Sequence, residues 1–553
     1  VKAAAGRRAL PLERLLFLAL YCWAFLYGLR PIHEYDFWWH LASGRRIIET
    51  LRVPFVDPFS LTCRGARWVD SYWLFEAALY GLFRLAGFNG IVVAAAAAGA
   101  AALGFQQRML AALGAGWAAR AAVLVLFFLS FDPAAHGWVS LSSLVTLIFC
   151  SALWAELETG RRDRAAPRLA LWLPLFALWA NLHRGVVVGL AVAGLYAVFD
   201  APRGAQTLPR RLAFPLLAAA ATLLNPYGVG LYRMIWSDFT VSPLHVHGWS
   251  APRWSSQPFY AAAIVALWLV LALRLLRRER NVGFHAAAAA FFTVLGARNI
   301  VHAPYLLLFA LPLVAATASD EFRRRPELRL PAAVERGLLF ASLALALFGA
   351  AAAKARGGVD AASVPAAACD FIAREGVRGP FYNDYRFGGY WIWRFNGSPP
   401  VLIDGRYPAV DGYEALLADI EAAKKSPAAW EDFLRRRGLH AALSTYPEGA
   451  PTSAMFDAYF PRARWALVYW DDAALVFLER TPENLPTIRR EEFRALSPDG
   501  GPEVLAARVR AAAPATRRLI AAELERSARD HPDSARVERL ARAFLDAAPS
   551  PAR

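Results

Sequence analysis

Glu34, Asp36, Trp38, Trp39 and His40 stand together just past the first apolar stretch of the chain. Charge at a membrane boundary is expensive and is normally kept for a purpose. In extended backbone the two carboxylates of Glu34-x-Asp36 share one face, with side chains about 7 Å apart. Such a pair either binds a divalent cation or leaves one member to deprotonate a hydroxyl. His40 follows Asp36 by four positions and is its neighbour if the segment is helical. Trp38, Trp39, Trp68 and Trp73 offer flat apolar faces for a sugar ring or for an interfacial belt. Asp36 is read as the acid that does the chemistry, with Glu34 and His40 beside it. Glu34 with Asp36 is the metal-binding option.

Further candidates sit where apolar segments end. Asn181, His183 and Arg184 follow one segment, Asn225-Pro226-Tyr227 another, and Arg298, Asn299 and His302 a third. His245-x-His247 is a weak metal signal, since two histidines alone seldom make a site. Asp404-Gly405-Arg406 follows a buried apolar run and reads first as an internal salt bridge holding a turn. Cys63 and Cys369 read as two unrelated thiols rather than a disulfide.

The elements that must position these residues follow from composition. The chain has 553 residues, 57% of them hydrophobic, and a formal net charge of +16. That apolar fraction belongs to a polytopic membrane protein rather than a soluble one. The positive charge does not point to nucleic acid, because the arginines cluster between apolar segments, as cytoplasmic loops require. Arg161-Arg162-Asp163-Arg164, Arg210-Arg211, Arg277-Arg278-Glu279-Arg280 and Arg323-Arg324-Arg325 are read as cytoplasmic connectors. The charge would hold anionic membrane lipid on that face.

Apolar stretches near 12–28, 72–88, 89–107, 116–131, 138–158, 168–182, 185–201, 212–224, 256–274, 283–297, 300–318 and 337–353 predict a mainly α, transmembrane helical bundle of about 11–12 segments. Arg7, Arg8 and Arg14 before the first stretch predict a retained anchor with a cytoplasmic N-terminus. From residue 160 onward the topology is self-consistent. Before it, four stretches between 72 and 158 would leave Arg161 outside, so one of them does not span.

Residues 1–353 are therefore expected to form the membrane domain, with 31–71 as its first external loop. Residues 354–482 mix short strands with helices and predict an extracytoplasmic α/β domain. Strands are expected after Gly379-Pro380, at Val401-Leu402-Ile403, from His440 to Ser444, and from Trp465 to Leu478 with a turn at Asp471-Asp472. Residues 412–437 are read as helical. The tail, 483–553, has helical periodicity.

The pattern Asp36-x-Trp38-Trp39-His40-Leu41-x-x-Gly44, then Val53-Pro54-x-x-Asp57-Pro58-Phe59-Ser60, Trp68 and Trp73-Leu74-x-Glu76 resembles the first-loop region of bacterial GT-C glycosyltransferases. Glu34-Tyr35-Asp36 matches one form of that superfamily's acidic motif. The resemblance continues at Trp179-Ala180-Asn181-Leu182-His183, at Asn225-Pro226-Tyr227-Gly228, at Arg298, and at Leu402-Ile403-Asp404-Gly405-Arg406. It implies a multi-pass protein of the bacterial inner membrane that takes a sugar from a polyprenyl-phosphate carrier outside the cytoplasm. The acceptor would be an envelope glycan, lipid or protein. Asp36 would be the general base, with inversion at the sugar carbon. His183, Arg184, Asn181, Arg298, Trp39 and Asp57 would bind substrate or phosphate. Many relatives carry a second essential acid, for which Glu34, Asp57 and Asp70 are the candidates. Two other readings stand beside this one: a transporter or flippase of a lipid-linked intermediate, and a non-catalytic scaffold of envelope assembly.

Overall fold

The computed structural model describes residues 11–130, 141–200, 208–245, 251–252, 254–279, 282–325, 332–352, 358–360, 363–407, 409–446 and 455–548. Arg7, Arg8, His247 and Arg280 lie outside them, as do the side chains of Arg210 and His245. Among the described residues the fold is mainly helical with one small sheet. Among the described residues, Trp73–Ala112, Pro258–Leu276 and Ile300–Arg324 are long and apolar enough to cross a membrane. Leu169–Leu182, Val186–Phe199 and Val282–Arg298 are shorter apolar helices.

The stretches 72–88 and 89–107, separate in the sequence reading, run as one 40-residue element, Trp73–Ala112. It breaks at Gly87, whose φ of 62° and ψ of −164° are non-helical. That conformation is open essentially to glycine alone, so two helices meet at a kink there, close to the boundary read between the two stretches.

Contacts divide the chain into two compact units. The first is Val1–Ile32, Gly44–Val53 and Val69–Val359; the second is His33–Ser43, Pro54–Trp68 and Asp360–Arg553. The loop 31–71, which the sequence reading gave whole to the membrane domain, is thus shared. Its His33–Ser43 and Pro54–Trp68 parts belong with the C-terminal residues, and residues 483–553 belong with them too.

In the first unit, Trp154 packs against Phe284, Phe292 and Phe309, knitting three helices together. Arg161, read as part of a cytoplasmic connector, is 5% exposed at the end of Ser143–Asp163. It pairs with Glu158 at 3.1 Å and Asp200 at 3.0 Å, and His285 Nε2 lies 2.8 Å from the same Glu158 oxygen. A guanidinium is tolerated there because carboxylates from two segments meet it.

The second unit is built on a four-stranded sheet of order β1-β2-β4-β3, comprising β1 (Phe381–Asn383), β2 (Ala441–Ser444), β3 (Trp465–Trp470) and β4 (Leu475–Glu479). β1 and β2 run parallel; β4 is antiparallel to both β2 and β3. The β3–β4 hairpin turns where expected, with Asp471 Oδ1 accepting from the amides of Ala473 and Ala474 at 2.8 Å. The 412–437 region forms two helices, Tyr413–Ala423 and Pro427–Arg436, the second capped by Ser426. Val401-Leu402-Ile403 is buried as expected but is not a strand of the sheet. The Asn383 side chain takes the place of a ladder, accepting from Leu402 N at 2.8 Å and donating to Ile403 O at 2.7 Å. The tail forms Gly501–Ala511, Pro514–Asp530 and Ala535–Ala547. Buried Glu523 accepts from the amides of Arg494, Ala495 and Leu496.

Candidate functional site

The acidic motif belongs to the second unit. Glu34 and Asp36 are not in one extended run: the chain bends at Tyr35 and turns at Asp36 into the helix Phe37–Thr50. The carbonyl of Asp36 accepts from His40 N at 3.3 Å, so Asp36 sits at the mouth of that helix. Its carboxylate Oδ1 accepts from Trp39 Nε1 at 3.1 Å. Asp36 and Glu34 are both half-buried, whereas Trp38, Trp39 and His40 are buried. His40 lies against Trp39, with ring centroids 3.6 Å apart. The helical spacing of Asp36 and His40 is therefore realised, and the extended pairing of Glu34 with Asp36 is not.

The helix Tyr385–Phe395 packs on this segment. Trp38 meets Tyr390 edge-on, with centroids 4.8 Å apart, and Trp393 at 6.4 Å. Gly389 lets the helix approach: a Cβ there would stand 2.8 Å from Tyr35 O and 3.2 Å from Trp39 N. Burial pushes the Tyr390 hydroxyl up to about 12.

Asp57, expected to bind substrate or serve as second acid, has a different role. Arg406 Nη1 donates to Asp57 Oδ1 at 2.6 Å, and both side chains are fully buried. Arg406 also donates to both oxygens of Asp404, at 2.8 and 2.7 Å. Tyr413 donates to Asp404 Oδ2 at 2.7 Å, and Ser60 donates to Tyr413 at 2.6 Å. The Phe59, Trp68 and Tyr413 rings surround the guanidinium at 5.1, 5.0 and 5.8 Å. Burial opposes the arginine's charge, but the Asp404 and Asp57 carboxylates outweigh it and hold its pKa well above the ordinary value. Burial likewise raises Tyr413, which stays a neutral donor. Asp57 is thus a structural counter-ion with no surface to offer a substrate. The Asp404-Gly405-Arg406 reading as a salt-bridged turn holds, although the bridge also reaches back to Asp57. Tyr413 carried no signal in the sequence; Ser60 was visible only as part of the loop pattern.

The remaining candidates lie in the first unit. His183 is buried, its Nδ1 accepting from Gly185 N at 2.9 Å and lying 2.8 Å from Thr146 Oγ1. Trp179 Nε1 donates to the same threonine at 2.9 Å. Asn181 accepts from Trp73 Nε1 at 2.9 Å and donates to Leu224 O at 2.8 Å. These two residues hold segment ends together. Arg184 is paired with buried Asp238 at 2.7 Å and lies 5.4 Å over the Tyr72 ring. Arg298 is exposed at the end of Val282–Arg298, 4.8 Å from the Phe239 ring. Buried Asp70 accepts from Tyr72 N at 3.1 Å. Neither Thr146 nor Asp238 was singled out from the sequence.

Among the described residues no group of three or more His, Cys, Asp or Glu side chains is arranged to hold a metal ion. Cys63 and Cys369 are free thiols. No family model matches the chain, and no curated protein matches it.

Proposed function

We propose that this chain is a multi-pass membrane glycosyltransferase of GT-C type. It transfers a sugar from a polyprenyl-phosphate carrier to an acceptor outside the cytoplasm of a bacterial inner membrane. Three long apolar helices and several shorter ones support membrane embedding. Counting Trp73–Ala112 as a single crossing lets Arg161–Arg164 return to the cytoplasm, with the N-terminus cytoplasmic and the C-terminal domain outside.

The observation that carries the proposal is the state of Asp36. It remains half-buried, with Oδ1 oriented by Trp39, while Asp57 and Asp404 are fully buried against Arg406. A carboxylate with partial exposure and a fixed orientation suits a general base. Asp36 takes the proton of the acceptor hydroxyl. That oxygen bonds to the anomeric carbon, and the bond from carbon to the carrier's phosphate breaks, leaving polyprenyl phosphate with the electron pair. The sugar carbon inverts. Glu34, also half-buried, remains the candidate second acid. For the phosphate, Arg298, exposed at the end of Val282–Arg298, and Arg184, paired with Asp238, are the candidate donors.

The test is sugar transfer by the purified protein in lipid, from a panel of polyprenyl-phosphate sugars to envelope acceptors, with Asp36→Asn and Glu34→Gln alongside. Transfer that is lost in Asp36→Asn supports the reading. Carrier moved across the bilayer with no sugar bond formed would favour a flippase instead.

A further inference from the structure

Gly388, Gly389 and Gly405 share a property that backbone conformation does not explain. None has a positive φ, and the first two lie inside the helix Tyr385–Phe395. A residue with a side chain could adopt each conformation, and glycine within a helix is unfavourable by roughly 1 kcal/mol. Their reason is close approach. A Cβ on Gly388 would strike the Ile403 carbonyl oxygen and lie 2.6 Å from Asp404 Cβ. One on Gly389 would crowd the Tyr35 carbonyl oxygen, and one on Gly405 would strike Asp36 Oδ1 and lie 2.9 Å from Trp39 Nε1. The three glycines bring helix, turn and acidic segment into contact.

The turn carrying Gly405 has no freedom to retreat. On one side Asp404 Oδ1 accepts from Arg406 N at 2.9 Å, closing the turn on itself. On the other, Arg406 is bound by Asp57, Asp404, Ser60 and Tyr413. Gly405 is therefore a fixed piece of wall, and the Asp36–Trp39 hydrogen bond runs directly against it.

We propose that Gly405 is a positioning residue for Asp36. The charges on either side clamp the turn, and the missing side chain between them leaves one seat for Oδ1. Trp39 Nε1 is the second restraint on that seat. This rests on Asp36 being the base, but the positioning itself has a readout independent of activity. The atoms a new Cβ would meet belong to side chains rather than backbone: the Asp36 carboxylate first, and Trp39 Nε1 at 2.9 Å. Gly405→Ala is therefore absorbed mainly by moving the Asp36 carboxylate, with a smaller shift of the Trp39 indole, at the expense of the bond between them.

The experiment uses the full-length protein in lipid nanodiscs, with ¹⁵N-labelled indoles and the Trp39 signal assigned by its loss in Trp39→Phe. Gly405→Ala should displace the Trp39 indole resonance and lower kcat by about 100-fold, the scale of a 1 Å misplacement. The KM for donor and the melting temperature should stay near wild type. In an Asp36→Ala background the same substitution should move the Trp39 resonance by much less, because only the 2.9 Å approach of the new Cβ to Trp39 Nε1 remains. An unchanged Trp39 resonance in Gly405→Ala overturns the proposal. So does an equal displacement in both backgrounds, which would make Gly405 a packing residue. If the resonance responds as expected while wild type transfers no sugar, the positioning stands and the base role of Asp36 falls.

Discussion

Arg406 and Asp57, 349 residues apart in the chain, meet through a 2.6 Å hydrogen bond with both side chains fully buried. The pair makes Pro54–Trp68 part of the C-terminal unit rather than a free loop. Arg406→Leu leaves the Asp57 and Asp404 carboxylates buried with no cation, which should destabilise the second unit by about 3–5 kcal/mol. Asp57→Ala should be milder, since Arg406 keeps Asp404. Chemical unfolding followed by limited proteolysis of residues 360–553 checks this. Equal stability of wild type and Arg406→Leu would contradict it.

Glu523 serves three consecutive backbone donors from one buried carboxylate. Glu523→Ala should free the amides of Arg494, Ala495 and Leu496, at about 1–3 kcal/mol for each group left unsatisfied. Hydrogen exchange should accelerate at those amides first. Exchange that stays as slow as in wild type would mean that other groups hold the segment.

Acid should weaken the second unit partly through Glu479. Burial alone would raise this carboxyl, but hydrogen bonds from His440 and Arg464 win and hold it below its ordinary value. The unfolded chain therefore takes up the proton first as pH falls. The stabilisation is complete above the unfolded value, about 4.3, and is lost as pH falls through the lower folded value. Melting curves of wild type and Glu479→Gln should differ at pH 7 and converge in acid. A constant offset across that range would contradict the assignment.

The structural role of His183 is separable from ligand binding. Thr146→Val removes both the acceptor for Trp179 and the partner of His183. It should lower stability by about 1–3 kcal/mol and leave the KM for a carrier-linked sugar unchanged. A raised KM with unaltered stability would return His183 to the substrate.

Much of this arrangement could be read from the sequence because it depends on local pattern. Hydrophobic runs gave the helices, and the Asp471-Asp472 turn gave the hairpin. What was hidden depends on contacts distant in the chain. Asp57 and Asp36 both stand beside aromatic residues in the sequence, yet Arg406 buries one and Gly405 leaves room for the other. Nothing near residue 57 announces an arginine at 406. The Gly87 break was legible: the boundary read between 72–88 and 89–107 falls within two residues of the non-helical glycine. Arg161 looked like a connector charge because its partners, Asp200 and His285, come from separate segments.

The most direct measurement is the single-turnover rate of sugar transfer by wild type and by Asp36→Asn, with donor binding measured on both. The account predicts equal donor binding and a rate lowered by about 10²–10⁴ in the variant, as for loss of a general base. Transfer by Asp36→Asn at the wild-type rate would contradict it.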